Sequence, residues 1–526
     1  MALFLSILPI VLLIWMMVKK NSIPSYIALP LTAILIYILQ ITYFGNPFNL
    51  LNANIISGLI STFTPITVIF GAILFNRMME TTGNIDILRK WLGNINPNPI
   101  AQLMIIGWAF AFMIEGASGF GTPAAIAAPI LMSLGFNPLR VAIFALVMNS
   151  VPVSFGAVGT PTWFGFGPLN LNDADILSIG KQTALIHFFA GFVIPVIALT
   201  FIRPWTEIRK NLVFIYLSIL SCTVPYCILA TMNYEFPALV GGAIGLLISV
   251  FLANKGIGLN KEHRHEQENE HLPVKTVLKA LSPLGMLIGI LVITRIKQLG
   301  IKGLLTDNTP LFNLPLGIFD FELSRALIFN FKNILGEAVH DRYQMLYVPA
   351  LIPFVAAVLL SLWLFKTKSS DSVSIFSATL KQVRKPFLAL LGALIMVKLM
   401  LVGGDASMVK TIGKEFAAMT GEHWVYFSPY LGAIGAFFSG SNTVSNLTFG
   451  AIQMQIAETT GLSVTLVLAL QSVGGAMGNM VCINNIIAVC SVLNVQNQEG
   501  AIIKKTAIPM FIYGIISAVI ATLFLL

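Results

Sequence analysis

Charge is what this chain has least of. Only 10% of its 526 residues are Asp, Glu, Lys or Arg, whereas 56% are hydrophobic. A soluble domain carries roughly 25% charged residues. The composition therefore excludes a soluble enzyme or binding module and describes a polytopic membrane protein. Cysteine is equally scarce. Cys222, Cys227, Cys482 and Cys490 fall in apolar segments without metal-ligand spacing, so they read as small core residues rather than a zinc or disulfide framework. Acids number 22 against 31 bases, but the bases scatter through short loops. That excess is no nucleic-acid signature; it sets membrane orientation. The first apolar run, Ala2 to Val18, lacks a small-residue cleavage site and ends in Lys19 and Lys20, so it reads as a retained helix.

What the chain does have is hydrophobic length. A span needs about 20 mostly apolar residues, and about twelve runs between residues 2–18 and 507–526 meet that test. With both termini outside, the basic loop residues from Lys19 to Lys505 share the cytoplasmic side, while Asp173, Asp175 and Glu235 take the other. Residues 100–134 and 424–458 fit poorly as simple spans. Each reads as two half-length apolar pieces around a Gly/Ser/Thr-rich tip, the form of a re-entrant hairpin. The first is expected to enter from the cytoplasm and the second from outside.

The chain repeats itself. Gly71-Ala72-Ile73-Leu74 recurs as Gly392-Ala393-Leu394-Ile395, and Ser118-Gly119-Phe120-Gly121-Thr122 as Ser439-Gly440-Ser441-Asn442-Thr443, each 321 residues on. Asn149-Ser150-Val151 recurs as Gln471-Ser472-Val473, shifted by 322. An odd number of spans between the hairpins makes the repeats inverted, the architecture of secondary transporters. The expected fold is an all-α polytopic membrane protein of about 12 spanning helices plus two re-entrant hairpins in an inverted repeat. Residues 1–210 form the first repeat, 211–275 linking helices and a cytoplasmic loop, and 276–526 the second repeat.

Three polar stretches complete the map. Residues 254–275 carry His263, His265 and His271 among Glu and Arg, and read as a solvated linker rather than a metal site. Residues 295–344 read as an outer loop whose amphipathic piece, around Phe321–Phe331, lies on the membrane surface. Residues 366–385 read as a cytoplasmic linker.

The chemistry concentrates at the hairpins. Ala111 to Pro129 carries one acid, Glu115, followed by Gly116, Ser118, Gly119, Gly121, Thr122 and Pro123. Glycine and proline at that density break a helix. In hydrocarbon, broken backbone survives only inside protein or beside a wet cavity, and a carboxylate at that depth is a functional-site candidate. The second tip offers Ser441, Asn442, Thr443 and, one turn on, Asn446. Hydroxyls, amides and helix N-termini suit a small carboxylate. Beyond each tip lies another break, Gly156 to Thr162 with Thr160, and Gly474 to Asn479. One such segment would read as close helix packing through small residues; four, placed symmetrically, read as a site. The expected substrate-binding residues are Ser118, Gly119, Gly121, Thr122, Thr160, Ser441, Asn442, Thr443, Asn446 and Asn479. Glu115 is the one acid within the Ala111 to Pro129 motif. His187 is either a satisfied core histidine or a proton relay. Lys398 and Arg77, at equivalent places before the hairpins, are candidates to compensate an anion's charge, Arg77 equally an interface anchor.

Other classes compete. Gly116-Ala117-Ser118-Gly119 has the Gly-x-Ser-Gly form of rhomboid intramembrane proteases, with His187 to complete a Ser–His dyad. A hydrolase gives no reason for the second tip. A channel is disfavoured because the broken helices mark a midplane site rather than a repeated pore ring.

Taken together, the blocks Glu115 to Ala125, Asn149 to Gly156, Gly159-Thr160-Pro161 and Phe438 to Asn446 resemble the lactate permeases, bacterial symporters of lactate and related 2-hydroxy acids such as glycolate. Ser441-Asn442-Thr443 is also similar to the Ser-Asn-Thr carboxylate motif of hairpin-containing dicarboxylate transporters. The first resemblance implies a proton-coupled monocarboxylate permease, multi-pass in the bacterial plasma membrane, with Glu115 as the expected proton-coupling group. It implies protons, a small monocarboxylate and the lipid bilayer as partners, and no cofactor, metal or nucleic acid. A sodium-coupled carboxylate carrier is the alternative within transport, and self-association into a homo-oligomer is left open.

Overall fold

The computed structural model describes residues 1–19, 23–119, 122–260, 272–295, 299–348, 351–495 and 498–524. The histidines of the 254–275 linker lie outside the described residues. Most of the chain is helical. Among the described residues nine helices are long and apolar enough to cross a membrane, ten if Pro138–Met148 and Val151–Leu169, bent by 46°, count as one broken span. Ala2–Met17 and Leu351–Leu364 are shorter apolar helices. The expected multi-pass helical class holds, and a small β-sheet is added to it.

The chain divides into two compact units, Met1–Ile85 with Lys279–Phe416, and Asp86–Leu278 with Ala417–Leu526. Each draws on both halves of the sequence. The order of elements recurs: Phe48–Thr81, Asn84–Gly93, a hairpin, Pro138–Met148, a 3₁₀ turn and Asp173–Gly191 are matched by Ser369–Leu401, Met408–Thr420, a hairpin, Val464–Gly478, a 3₁₀ turn and Glu499–Phe524.

In the first unit Ser369–Leu401 packs along both Phe48–Thr81 and Ser25–Thr42. Gly392 lies flush with the backbone at Pro30, and the buried Gln40 donates from Nε2 to the Leu399 carbonyl at 2.6 Å. Residues 310–344 hold an antiparallel meander, β1 (Pro310–Pro315), β2 (Asp320–Ser324), β3 (Ile328–Lys332) and β4 (Asp341–Gln344), in that spatial order. This corrects the reading of Phe321–Phe331 as an amphipathic segment on the membrane surface. Phe319, Phe321, Phe329 and Phe331 alternate with other residues at the period of a strand, not of a helix. Phe319, Phe331 and Ile334 instead pack on Ala53 and Ile60 of Phe48–Thr81.

In the second unit both hairpins are present as helical pairs. Thr122–Ser133 turns back along Leu103–Ser118, and Asn442–Thr460 along Trp424–Ser439. The first arm is longer than the half-length piece expected: Pro99–Ser118 is 20 residues, its middle, Leu103–Phe110, π-helical. Pro99 starts it, and the helix breakers gather only after Glu115. Gly116 brings this arm against the backbone of Ala238 and Leu239 in Pro237–Lys255, where any Cβ would collide.

Candidate substrate-binding site

At the first tip, helix Pro99–Ser118 ends because Gly119 adopts φ 60°, its N–H still bonded to the Glu115 carbonyl at 2.9 Å. Gly119 abuts the second break. There Ala157, Val158 and Gly159 take φ of 44°, 55° and 69°, three left-handed residues in a row. Left-handed backbone costs an L-residue roughly 1–2 kcal/mol, and more for a β-branched one. The surroundings hold it in place. Trp163 Nε1 donates to the Val158 carbonyl at 3.0 Å, Thr160 Oγ1 to Ala157 at 2.5 Å, and Thr162 Oγ1 to Ser154 at 2.8 Å. From the other hairpin, Asn446 Nδ2 donates to the Pro161 carbonyl at 3.0 Å. Strain maintained by so many contacts is the kind that collects at functional sites.

The second tip turns at Gly440, φ 72°. Ser441 is the N-cap of Asn442–Thr460, accepting at Oγ from the Val444 N–H at 3.3 Å. Asn442, only 2% exposed, donates from Nδ2 to the Ser472 carbonyl at 3.0 Å and to Ser154 Oγ at 3.3 Å. Ser445 Oγ donates to the Gly432 carbonyl at 2.7 Å.

Between the tips lies a cavity of about 270 Å³, part of it open to solvent. Glu115 and Gly119 line it from the first hairpin, and Ser441, Asn442 and Thr443 from the second. Gly156, Ala157 and Pro161 come from one break and Asn479 from the other. Glu115, 2% exposed, accepts at Oε2 from Asn149 Nδ2 at 3.1 Å, and its other oxygen fills the space beside Gly156 where a Cβ would be. Glu115 is the one charged side chain among the described lining residues. An anion would therefore be held by hydroxyls, amides and the N-terminus of Asn442–Thr460.

Six expected residues thus line the cavity: Glu115, Gly119, Ser441, Asn442, Thr443 and Asn479. Four others stand behind the lining. Ser118 Oγ donates to the Ile114 carbonyl at 3.0 Å within its own helix. Thr160 and Asn446 brace the strained break. His187, fully buried, meets Ser154 Oγ with Nε2 at 2.8 Å and the Tyr513 hydroxyl with Nδ1. Neither Ser118 nor His187 bonds the other, so no Ser–His dyad forms. Gly121 and the side chain of Thr122 lie outside the described residues. Lys398 and Arg77 belong to the first unit. Lys398 Nζ pairs with Asp341 Oδ2 of β4 at 2.8 Å and donates to Ser57 Oγ at 2.5 Å. Arg77 donates to Gln382 Oε1 from Nη2 at 3.0 Å at an exposed position. Each thus has its partner within its own unit. No group of His, Cys, Asp and Glu able to hold a metal ion occurs among the described residues.

Sequence reasoning passed over the roles of Asn149, Ser154 and Gln471. The signal was in the repeat. Asn149 and Gln471 occupy equivalent positions, and each reaches a hairpin: Asn149 bonds Glu115, and Gln471 Nε2 donates to Ser445 Oγ at 3.0 Å.

The family model described as L-lactate permease matches residues 2–526. The chain belongs to the L-lactate permease family. A Haemophilus influenzae protein is 62% identical over 515 residues, covering 98% of this chain and 97% of its own length. The Escherichia coli glycolate permease GlcA is 24% identical, covering 95% of this chain and 91% of its own. Among solved structures, that of Neisseria gonorrhoeae MtrF matches with a TM-score of 0.49 at 12% identity, covering 97% of this chain and 96% of that one. A member of the L-lactate permease family is a multi-pass plasma-membrane permease and not an enzyme.

Proposed function

We propose that this permease carries lactate and related 2-hydroxy monocarboxylates such as glycolate by proton symport. One observation carries the reading: Glu115 lines the same cavity as the N-terminus of Asn442–Thr460. A carboxylate placed at Ser441, Asn442 and Thr443 shares that cavity with Glu115. Two like charges so close oppose each other's ionisation. Anion binding and protonation of Glu115 are then linked, and the linkage is reciprocal. The loaded carrier moves an anion and a proton together; the empty one returns with neither. The two tips, at pseudo-symmetric places in repeats 1–210 and 276–526, would bring binding and coupling into one site.

The names of the relatives support the substrate class. The test is uptake of labelled lactate into proteoliposomes holding the purified protein, under an imposed proton or sodium gradient. Uphill accumulation driven by the proton gradient alone supports the reading. Accumulation driven by sodium alone would replace it with a sodium-coupled carrier.

A further inference from the structure

Behind the cavity, Ser154 Oγ sits at a junction of four contacts. Asn442 Nδ2 donates to it at 3.3 Å and Ser472 Oγ at 3.1 Å. The Ser472 carbonyl lies at 3.1 Å and His187 Nε2 at 2.8 Å. Ser154, Ser472 and His187 are wholly buried, so water does not complete the set. A hydroxyl has one proton and two acceptor positions. Asn442 and Ser472 Oγ fill both acceptor positions, so an N–H on His187 Nε2 would be a third donor with nowhere to go. The Ser154 proton therefore goes to a bare Nε2, its shortest contact. The Ser472 carbonyl is still satisfied, because Asn442 Nδ2 donates to it at 3.0 Å. The imidazole carries its single proton on Nδ1, against the Tyr513 hydroxyl.

Among the described residues no charged side chain stands against this ring. Tyr513 and Tyr226 are the titratable groups packed on it, with ring centroids 5.8 and 6.3 Å away. Lys181 on its own helix is exposed. On Leu212–Ala230, which packs against its helix, Cys227 Sγ donates to the Ala184 carbonyl at 3.2 Å. Glu499, Lys504 and Lys505 lie more than two turns before Tyr513.

We propose that His187 is a positioning residue: a neutral acceptor that orients Ser154, and through it the Asn442 amide, in the substrate cavity, instead of a second proton carrier. With both amide protons of Asn442 engaged by Ser154 and Ser472, the second tip is presented in one orientation. The inference rests on that tip being the substrate site.

The test compares His187→Ala, Ser154→Ala, their double variant and His187→Gln in proteoliposomes, scoring lactate affinity, proton-driven accumulation and the pH profile of uptake. Glutamine retains an acceptor at the end of its side chain but cannot titrate. Each alanine variant should weaken apparent affinity about tenfold, and the double variant hardly more than either single one, since both break one chain. His187→Gln should recover affinity to within about threefold of the parent, with accumulation intact and the pH profile unmoved. If His187→Gln exchanges lactate but does not accumulate it, His187 is a proton carrier and the proposal fails. Multiplying losses in the double variant would equally overturn it, because His187 would not act through Ser154. Unchanged affinity in Asn442→Ala would instead fault the underlying site, a result separable from either of these.

Discussion

The two hairpin tips match in sequence position and in backbone design, yet they are fastened differently. The second is tied across the repeat boundary: Asn442 to Ser154, and Asn446 to the carbonyl of Pro161. Among the described residues of the first, Ser118 bonds only its own helix, and the tie to its neighbours is an acid, Glu115, held by Asn149. Neutral amides with fixed partners make a rigid cradle. A carboxyl with one donor can change its protonation state without dismantling a network. On the proposed reading, the two matching frames would thus divide the work, the second tip binding and the first coupling.

The largest expected effect falls on the first tip. Glu115→Gln keeps size and hydrogen bonding but cannot release a proton. It should bind lactate and exchange labelled for unlabelled substrate, while accumulation against a gradient is lost entirely. Full accumulation by that variant, measured in proteoliposomes with an imposed proton gradient, would take coupling away from this tip and erase the division of roles.

Next comes the rigidity of the second tip. A Cβ at Gly475 would occupy the position of Asn442 Oδ1, so Gly475→Ala should push the amide from its place and weaken lactate binding by roughly a hundredfold, the loss of about two polar contacts. Gly119→Ala at the first tip meets left-handed backbone and Ala157, at a cost of about 1–2 kcal/mol, near tenfold in affinity. Equal losses in the two variants would mean the tips are equally compliant.

Single donors rank below the glycine at position 475. Thr443→Ala should weaken apparent affinity by roughly ten- to hundredfold, as expected for a hydrogen bond to a charged group, and Asn442→Ala by about tenfold, because its amide protons already serve Ser154 and Ser472 and their loss unfastens the tip. Ser118→Ala should change it less than about twofold, because its hydroxyl serves the Ile114 carbonyl. If Thr122→Ala and Asn442→Ala both leave lactate affinity untouched, neither tip holds the substrate.

The smallest effect on transport is expected far along the chain from either tip. Lys398→Met leaves Asp341, 13% exposed, without its cation, and should cost about 3 kcal/mol of stability in thermal unfolding. Adding Asp341→Asn should restore most of it. Transport per folded molecule should stay near that of the parent in the double variant. A complete loss there would return Lys398 to the role of neutralising substrate charge.

Much of this was legible in the sequence because it is local or periodic. Scarce charge and long apolar runs fix a multi-pass chain, since unpaired polar backbone is intolerable in hydrocarbon. Glycine, proline and hydroxyl residues crowding Glu115 and Asn442 mark broken helices, since those residues cannot continue one. The repeat shows that the two breaks are equivalent. Phe319 to Phe331 could have been read as strands from their alternation, and length alone concealed it.

What only the tertiary structure decided are the partners. Nothing near Lys398 in the chain announces Asp341, and nothing near His187 announces Ser154, because both pairs meet across long sequence separations. A serine's one proton, an imidazole's tautomer and the orientation of an amide depend on every donor and acceptor within reach. Sequence fixes which groups a residue carries and whether its backbone can break. Packing fixes which groups they meet, and so which donors and acceptors are already spent and which are left to face the cavity.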